Sequence, residues 1–378
     1  MTANGQRFIG VERNGRTERL IIDQVMPRGA CVAGRATTCW KAHPEGDAQT
    51  PPVIKDSWQY LEREEEGELL REATDKGVVN MARYHYHDDI QSNVRKGLDV
   101  TEARNYQSER SMISASTASA RRKGRTSSTV GLKRPSSYTD APLPPSKRPC
   151  SASPTQAIND ALPNRIHQHV ILRDYGKPIY NASSRASLLT ALEGCIERYE
   201  SLYKAGVLHR DISLNNIMVN EDDNNPSWSA FLIDLDFGIK ETREKSSGAK
   251  GKTGTGAFMA IGVLLGEQHS FMHDLESFFW VLFWICIHCN GLDKSRVVPS
   301  FEATGQLALL KKGEICHVRD FVVTAEENFT SYHQPLIPWV NRLRRVVFPD
   351  GRRWKKGDTG LYSRMKQILR EARKDPMV

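Results

Sequence analysis

The chain has 378 residues, of which 39% are hydrophobic, and it carries seven tryptophans and a net charge of +8. This composition excludes a wholly disordered or fibrous chain and allows one large or two ordinary folded domains. Seven scattered cysteines, an odd number, argue against a disulfide framework. The first seven residues lack the apolar core of a signal peptide, and the longest apolar run, Phe278 to Ile287, is too short to span a bilayer. We therefore expect a soluble intracellular protein of the nucleus or cytoplasm, with no membrane partner.

The N-terminal block, residues 8–87, begins with strand-like sequence and then places a lysine on a predicted strand and a glutamate on the predicted helix that follows. Lys55 ends a short β-branched run, which predicts a strand. The following segment, 61–74, predicts a helix in which Leu69 and Leu70 lie three and four positions after Glu66. Glu66 can then face the strand while the leucines pack behind it. We predict an ion pair between Lys55 and Glu66, with other glutamates of the helix as competitors.

A low-complexity segment separates this block from the rest of the chain. Residues 88–165 carry thirteen Lys and Arg against seven Asp and Glu, and Tyr138 is the only aromatic residue between 111 and 160. Such a composition cannot bury enough apolar surface to offset chain entropy, so we predict a largely disordered basic insert over 88–163. Its basic clusters fit either a solvated linker or a signal for an import receptor. The scarcity of aromatic residues argues against specific nucleic-acid binding.

The segment 209–216 is the most informative part of the sequence. It follows a predicted strand (169–172) and a predicted helix (183–205), and it reads H-R-D-x-x-x-x-N, like the catalytic loop of eukaryotic-like protein kinases. Phosphoryl transfer needs a carboxylate beside the attacking hydroxyl and an oxygen ligand on a magnesium ion that bridges the phosphates. One short loop can present both groups, with Asp211 as the base, Arg210 beside it and Asn216 on the metal.

Two aspartates follow the next predicted strand, 230–233. Asp236 begins the literal D-F-G triplet, whereas Asp234 directly follows the apolar strand, where a kinase normally places its metal-binding aspartate. Residues two apart share a face only while a strand continues, so the two carboxylates are alternatives for one role. The sequence favours Asp234 as the magnesium ligand and keeps Asp236 as the named alternative.

The segment 254–260 is like the G-T-x-x-F-M-A sequence that closes a kinase activation segment. In that arrangement Thr255 would donate a hydrogen bond to Asp211 and shape a ledge for a peptide substrate. The Pro-Glu pair that usually follows is replaced by Ile261 and Gly262. We therefore expect this segment to have lost the ion pair that normally ties it to the large lobe.

Taken together, these motifs resemble the fungal-type protein kinase family. The pattern His-Asp-Leu-Glu-Ser-Phe-Phe at 273–279 opens a hydrophobic helix whose Asp274 would accept backbone hydrogen bonds from the catalytic loop. The resemblance runs from about Gly34 to Cys289 and includes a long insert of the kind common in that family. It is carried by the segments 53–58, 66–70, 209–213, 254–260 and 273–279.

The resemblance implies an α+β, two-lobed kinase fold with a small β-rich N-lobe and a mainly helical C-lobe. It implies ATP and Mg²⁺ as cofactors and Ser/Thr hydroxyls of a protein as substrate, with Lys55 on the α- and β-phosphates and Gly34 in the loop that covers them. We assign 1–87 to the first part of the N-lobe, 88–163 to the insert, 164–176 to the end of the N-lobe and the hinge, 177–348 to the C-lobe and 349–378 to a basic tail.

Three departures from the kinase pattern leave alternatives open. Ser213 stands where most Ser/Thr kinases carry a lysine, the phosphate loop keeps one glycine, and Gly262 breaks the usual end of the activation segment. The chain is then an active Ser/Thr protein kinase, a degenerate kinase acting as an interaction module, or a small-molecule phosphotransferase. The retained catalytic side chains favour the first over the second, and the 254–260 segment favours a protein substrate over a small one.

Overall fold

The computed structural model describes residues 6–13, 15–26, 37–47, 52–60, 63–79, 81–89, 165–241, 254–291, 311, 313 and 318–378. These residues all belong to one compact unit, formed by Met1–Ile90 together with Asn164–Val378. The predicted basic insert lies outside the described residues, apart from Asp88 and Asp89, and so does Gly34.

The N-terminal block and the strand that follows the insert form a six-stranded sheet with the order β1-β2-β3-β4-β6-β5. The strands are β1 Phe8–Arg13, β2 Arg16–Val25, β3 Thr38–Pro44, β4 Val53–Tyr60, β5 Tyr84–Asp89 and β6 Arg165–Leu172. Each pair of neighbours is antiparallel. β4 lies between β3 and β6, so the strand that carries Lys55 has hydrogen-bonded neighbours on both sides.

Successive residues of β4 point to opposite faces of the sheet. Ile54 packs on one face with Val11, Leu20, Ala42 and Ile171. Val53 belongs to the main hydrophobic core on the other face, together with Leu69 and Leu70 of helix α1 (Glu66–Asp75). Lys55 shares the face of Val53, and Asp56 shares the face of Ile54.

Helix α1 begins at Glu66, later than the start of the predicted 61–74, and ends at Asp75. Leu69, Leu70 and Ala73 are buried, and the helix ends before Gly77, which adopts a positive φ of 68°. After the turn that follows, strand β5 begins at Tyr84 and ends at Asp89. The strand therefore runs past residue 87, where the sequence analysis ended the first part of the N-lobe.

The rest of the described chain is mainly helical. Its helices are α2 Arg185–Lys204, α3 Ile261–Leu264, α4 Phe271–His288, α5 Val318–Asn328, α6 Ile337–Val347 and α7 Gly360–Ala372. Two small sheets accompany them, one of β7 Lys177–Pro178, β9 Ile217–Val219 and β10 Ala230–Leu232, the other of β8 Val207–Leu208 and β11 Ile239–Lys240. Pairing of β9 with β10 and of β8 with β11 brings the loops 209–216 and 233–238 side by side.

Helix α4 forms the centre of the helical part. Every one of its residues except Trp284 is buried, as expected for a helix that is apolar all round. Ser270 and His273 form a reciprocal capping box at its N-terminus. This cap fixes the start of the helix at Phe271, so Asp274 lies in its first turn. In the part of the chain that is described, no helix is both long and apolar enough to cross a membrane.

The segment 349–378, which the sequence analysis assigned to a basic tail, contains the packed helix α7. Its buried residues are Leu361, Tyr362, Met365, Ile368, Leu369 and Ala372, which follow a helical period. The helix packs against α2 and α6, and Arg370 and the C-cap residue Arg373 form ion pairs with Glu193 of α2. Helix α7 therefore belongs to the helical core.

Replacing Met365, which is fully buried, tests this packing. Met365→Ala should lower the free energy of unfolding by about 2–5 kcal/mol because it leaves a cavity between helices. Arg364→Ala, which removes an exposed ion pair with Asp358, should change it by no more than about 0.5 kcal/mol. Urea denaturation measures both. If Met365→Ala changed the free energy of unfolding as little as Arg364→Ala, α7 would contribute nothing to the core.

Candidate functional site

Lys55 is the centre of a buried cluster of charges. Its Nζ lies 2.6 Å from Glu66 Oε2, 2.9 Å from Asp234 Oδ1 and 3.0 Å from Asp236 Oδ2. The cluster joins strand β4, helix α1 and the loop 233–238. The contact between Lys55 and Glu66 that the sequence predicts is therefore present, and both aspartates of the D-L-D-F-G segment reach the same ammonium group.

The backbone at Asp234 explains how both of these aspartates contact Lys55. The strand β10 ends at Leu232, and Asp234 adopts a positive φ of 68°. This turn lets Asp234 Oδ1 accept a hydrogen bond from the main-chain N–H of Asp236 at 3.2 Å. Asp234 keeps 18% of its side chain exposed, whereas only 1% of the Asp236 side chain is exposed. Asp234 is thus the carboxylate that solvent reaches.

Three carboxylates around one ammonium leave an excess of negative charge. Burial and the neighbouring Asp236 raise the pKa of Glu66 well above its usual range, although Lys55 acts in the opposite direction. Glu66 Oε1 also accepts a hydrogen bond from the main-chain N–H of Leu235 at 3.1 Å, so the helix and the loop are tied together. Oxygen donors with surplus negative charge match the preference of Mg²⁺ for hard, anionic ligands.

The loop 209–216 places Asp211 and Asn216 together. Asn216 Nδ2 donates to the main-chain oxygen of Asp211 at 2.9 Å and lies 3.2 Å from Asp211 Oδ2. The main-chain oxygen of Asn216 accepts a hydrogen bond from the N–H of Ile233 at 3.0 Å, which joins this loop to the residue before Asp234. Burial and the charge of Asp234 raise the pKa of Asp211.

Thr255 closes the other side of Asp211. Its main-chain N–H and its hydroxyl donate to Asp211 Oδ1 at 2.8 and 2.9 Å, so the hydrogen bond that the sequence predicts is confirmed. Gly254 makes this approach possible, because its φ is +108° and a Cβ there would lie 2.8 Å from the main-chain oxygen of Arg210. The two oxygens of Asp211 are thus held by separate parts of the chain.

Asp274, at the start of α4, holds the backbone of the same loop. Its carboxylate accepts hydrogen bonds from the main-chain N–H groups of His209 and Arg210, each at 3.1 Å, as the sequence predicts. Arg210 adopts a positive φ of 67°, an unfavourable conformation for a non-glycine residue that these bonds offset. Burial would raise the pKa of Asp274, but His269 and His209 outweigh it and lower that pKa to about 2.

The segment 254–264 has a buried, charged anchor that the sequence analysis missed. Glu276 Oε1 accepts hydrogen bonds from the main-chain N–H of Ile261 at 2.7 Å and from Trp280 Nε1 at 3.0 Å. Lys311 Nζ donates to the main-chain oxygen of Met259 at 2.6 Å, and burial lowers the pKa of Lys311 to about 7. The segment is thus tied to the helical core by hydrogen bonds between buried charged side chains and its main chain, and not by the ion pair whose loss the sequence predicts.

A signal for one of these two residues was present in the sequence. Glu276 stands two positions after Asp274 in the motif 273–279, and it could have been proposed as a replacement for the missing glutamate. Lys311 lies in a stretch without any recognisable motif, so only its position in the fold identifies it.

The sequence profile of the family described as fungal protein kinase matches residues 1–286 of the chain. The chain therefore belongs to the fungal protein kinase family, and its mixture of sheet and helices fits an α+β kinase-like fold. Family membership suggests phosphotransferase activity. No curated protein matches the chain.

The pKa of Asp274 makes a prediction about acid stability. Because the pKa is about 2 in the folded chain and 3.8 for an unperturbed aspartate, the stabilisation is complete above pH 4 and is lost as the pH falls towards 2. The stability difference between the wild type and Asp274→Asn should shrink by about 1 kcal/mol between pH 6 and pH 3 in urea denaturation. Substituting the exposed Asp223 with Asn serves as the control. A difference that does not depend on pH would contradict the account.

Proposed function

We propose that the chain is an ATP- and Mg²⁺-dependent protein kinase that transfers the γ-phosphate to serine or threonine hydroxyls. The observation that carries this proposal is the convergence of a lysine from the sheet, a glutamate from α1 and aspartates from the loop 233–238 within 3.0 Å of one nitrogen atom. In the phosphoryl-transfer chemistry of protein kinases, a lysine held by a glutamate binds nucleotide phosphates and an aspartate holds the metal.

Lys55 is proposed to bind the α- and β-phosphates of ATP. Glu66, buried behind it, fixes the position of the ammonium, since a flexible surface lysine would have to lose more side-chain entropy on binding. An incoming phosphate can replace Asp234 as a partner of Lys55 without disturbing the contact with Glu66. The role of Gly34 in covering the phosphates stays a prediction from the sequence.

Asn216 and Asp234 are proposed to hold Mg²⁺, with Asp236 as the alternative to Asp234. The Nδ2 branch of Asn216 donates to Asp211, which leaves the Oδ1 branch of the same amide to face a cation. These oxygens would hold the ion, whose positive charge would neutralise that of the phosphates. The partial exposure of Asp234 supports its choice over the buried Asp236.

Asp211 is proposed as the base that orients the hydroxyl of the substrate and accepts its proton. The hydrogen bonds from Thr255 fix one carboxylate oxygen, and the contact with Asn216 fixes the other. A raised pKa makes Asp211 a better proton acceptor than an exposed aspartate. Arg210 supports this position through its main chain, which is held by Asp274.

A protein substrate is proposed because the segment 254–260 is anchored beside Asp211. Buried contacts from Glu276 and Lys311 hold this segment in place, so it can serve as a fixed ledge for a peptide. A small-molecule phosphotransferase has no need of such a ledge. Ser213 is buried and carries no charge, so Lys55 and the metal must balance the phosphate charge. Binding of an import receptor is proposed only from the basic composition of the insert.

The proposed base is tested by phosphoryl transfer to a generic protein substrate and to the chain itself. Asp211→Ala should lower the rate by about 10²–10⁴-fold, because it removes proton acceptance, while ATP binding stays measurable. Asp222→Ala, on an exposed turn, is the matched control and should retain the rate. A loss smaller than about tenfold in Asp211→Ala would contradict the role of the base. A wild-type protein that binds ATP but transfers no phosphate would support the interaction-module alternative.

A further inference from the structure

On the face of the sheet opposite Lys55, a carboxylate and two imidazoles meet. Asp56 follows Lys55 on β4, so the two side chains point to opposite faces. His167 and His169 are two residues apart on β6 and therefore lie on one face. Asp56 pairs directly with His169 in the antiparallel register, and His167 pairs with Trp58. The register therefore places all three side chains on the same patch.

The ligand atoms of these three side chains converge. His167 Nε2 is in contact with Asp56 Oδ1, and His169 Nε2 lies 3.8 Å from the same oxygen. One possible ligand atom from each residue lies within 4.8 Å of the other two. The side chains are 22–27% exposed, so an ion can reach them from solvent.

Neighbouring residues hold the cluster in this arrangement. The ring of Trp58 stacks on His167 with 4.6 Å between centroids and an angle of 12° between planes, which limits rotation of the imidazole. Asp88 of β5 stands opposite His169 in the register, so a second carboxylate adds negative charge beside the cluster. Preformed ligands with surplus negative charge favour a cation.

We propose that Asp56, His167 and His169 bind a divalent transition-metal ion, with Zn²⁺ as the best match. Two imidazole nitrogens and one carboxylate oxygen form a donor set typical of Zn²⁺ sites that keep a position for water or another ligand. The cluster around Lys55 offers oxygen donors, which suit Mg²⁺ instead. The proposal does not depend on the proposed kinase activity, because it concerns the other face of the sheet.

A simple ion pair explains this arrangement less well than a metal site does. His43 and Asp23 show what such a pair looks like in this chain, with one imidazole on one carboxylate at 2.6 Å. The cluster at Asp56 has two imidazoles directed at a single oxygen, one more than an ion pair uses. Another group of possible metal ligands is formed by Glu65, Glu68 and His87. It offers only one imidazole and is a poorer match to Zn²⁺.

A bound ion would fasten β6 to β4. Strand β6 is the first described element after the insert, and β4 carries Lys55. The ion would therefore fix the position at which the chain returns to the sheet, next to the strand that carries the proposed phosphate-binding lysine. It should also raise the thermal unfolding midpoint, because it binds the folded chain and not the separated strands.

The test is a titration of untagged, chelator-treated full-length protein with ZnCl₂ in competition with a chromogenic chelator. The wild type should bind Zn²⁺, and His167→Ala and His169→Ala should each weaken that binding by more than about tenfold, because each removes a ligand. Asp56→Asn, which preserves the shape of the side chain, should weaken it as well. His43→Ala, at an ordinary histidine–aspartate pair, should leave the affinity unchanged.

Co²⁺ gives a second, spectroscopic readout of the site. Bound to the wild type, it should show the strong visible absorption of a four-coordinate site, and this absorption should be lost in Asp56→Asn. Circular dichroism of each variant without metal checks that it is folded. Failure of the wild type to bind Zn²⁺, or equal Zn²⁺ affinity in the wild type and both histidine variants, would overturn the proposal.

Discussion

The burial of the Lys55 ammonium among three carboxylates is the constraint on which the rest of the structure depends. A buried charge without partners costs several kcal/mol, so the folded chain must place Glu66, Asp234 and Asp236 around Lys55 at the same time. That requirement couples the register of β4, the position of α1 and the turn after β10. The same excess of negative charge makes the cluster suited to a cation. The interactions that organise the fold therefore also form the proposed site for Mg²⁺ and nucleotide phosphates.

A second set of buried carboxylates extends this organisation into the helical part. Asp274 holds the backbone of the loop 209–216 through His209 and Arg210, and Glu276, two residues further along α4, holds the segment 254–264. Because both aspartate and glutamate project from the rigid, buried helix α4, the loop and the segment are fixed relative to each other. Asp211 is thereby positioned between Asn216 and Thr255.

Local motifs predicted much of this arrangement, and long-range packing decided the rest. The contact of Lys55 with Glu66 follows from the spacing of apolar residues in the helix. Those of Thr255 with Asp211 and of Asp274 with the loop are what the resemblance to kinase motifs implies. Lys311 was missed because its partner, Met259, lies 52 residues away and no periodicity links them. The basic charge of 349–378 predicts a tail, whereas the helical spacing of its apolar residues indicates the packed helix α7. The sequence leaves open whether Asp234 or Asp236 is the metal ligand, because the positive φ at Asp234 cannot be recognised from an alternating pattern of residues.

The central claim is that the Lys55 cluster binds a divalent cation together with nucleotide phosphates. The most direct measurement is the affinity for a non-hydrolysable ATP analogue with and without Mg²⁺, by calorimetry, in the wild type, Asp234→Asn and Asp236→Asn. The account predicts that Mg²⁺ tightens binding in the wild type and that Asp234→Asn loses this effect more completely than Asp236→Asn, because Asp234 is the more exposed carboxylate. An affinity that does not respond to Mg²⁺, or a greater loss in Asp236→Asn, would contradict it.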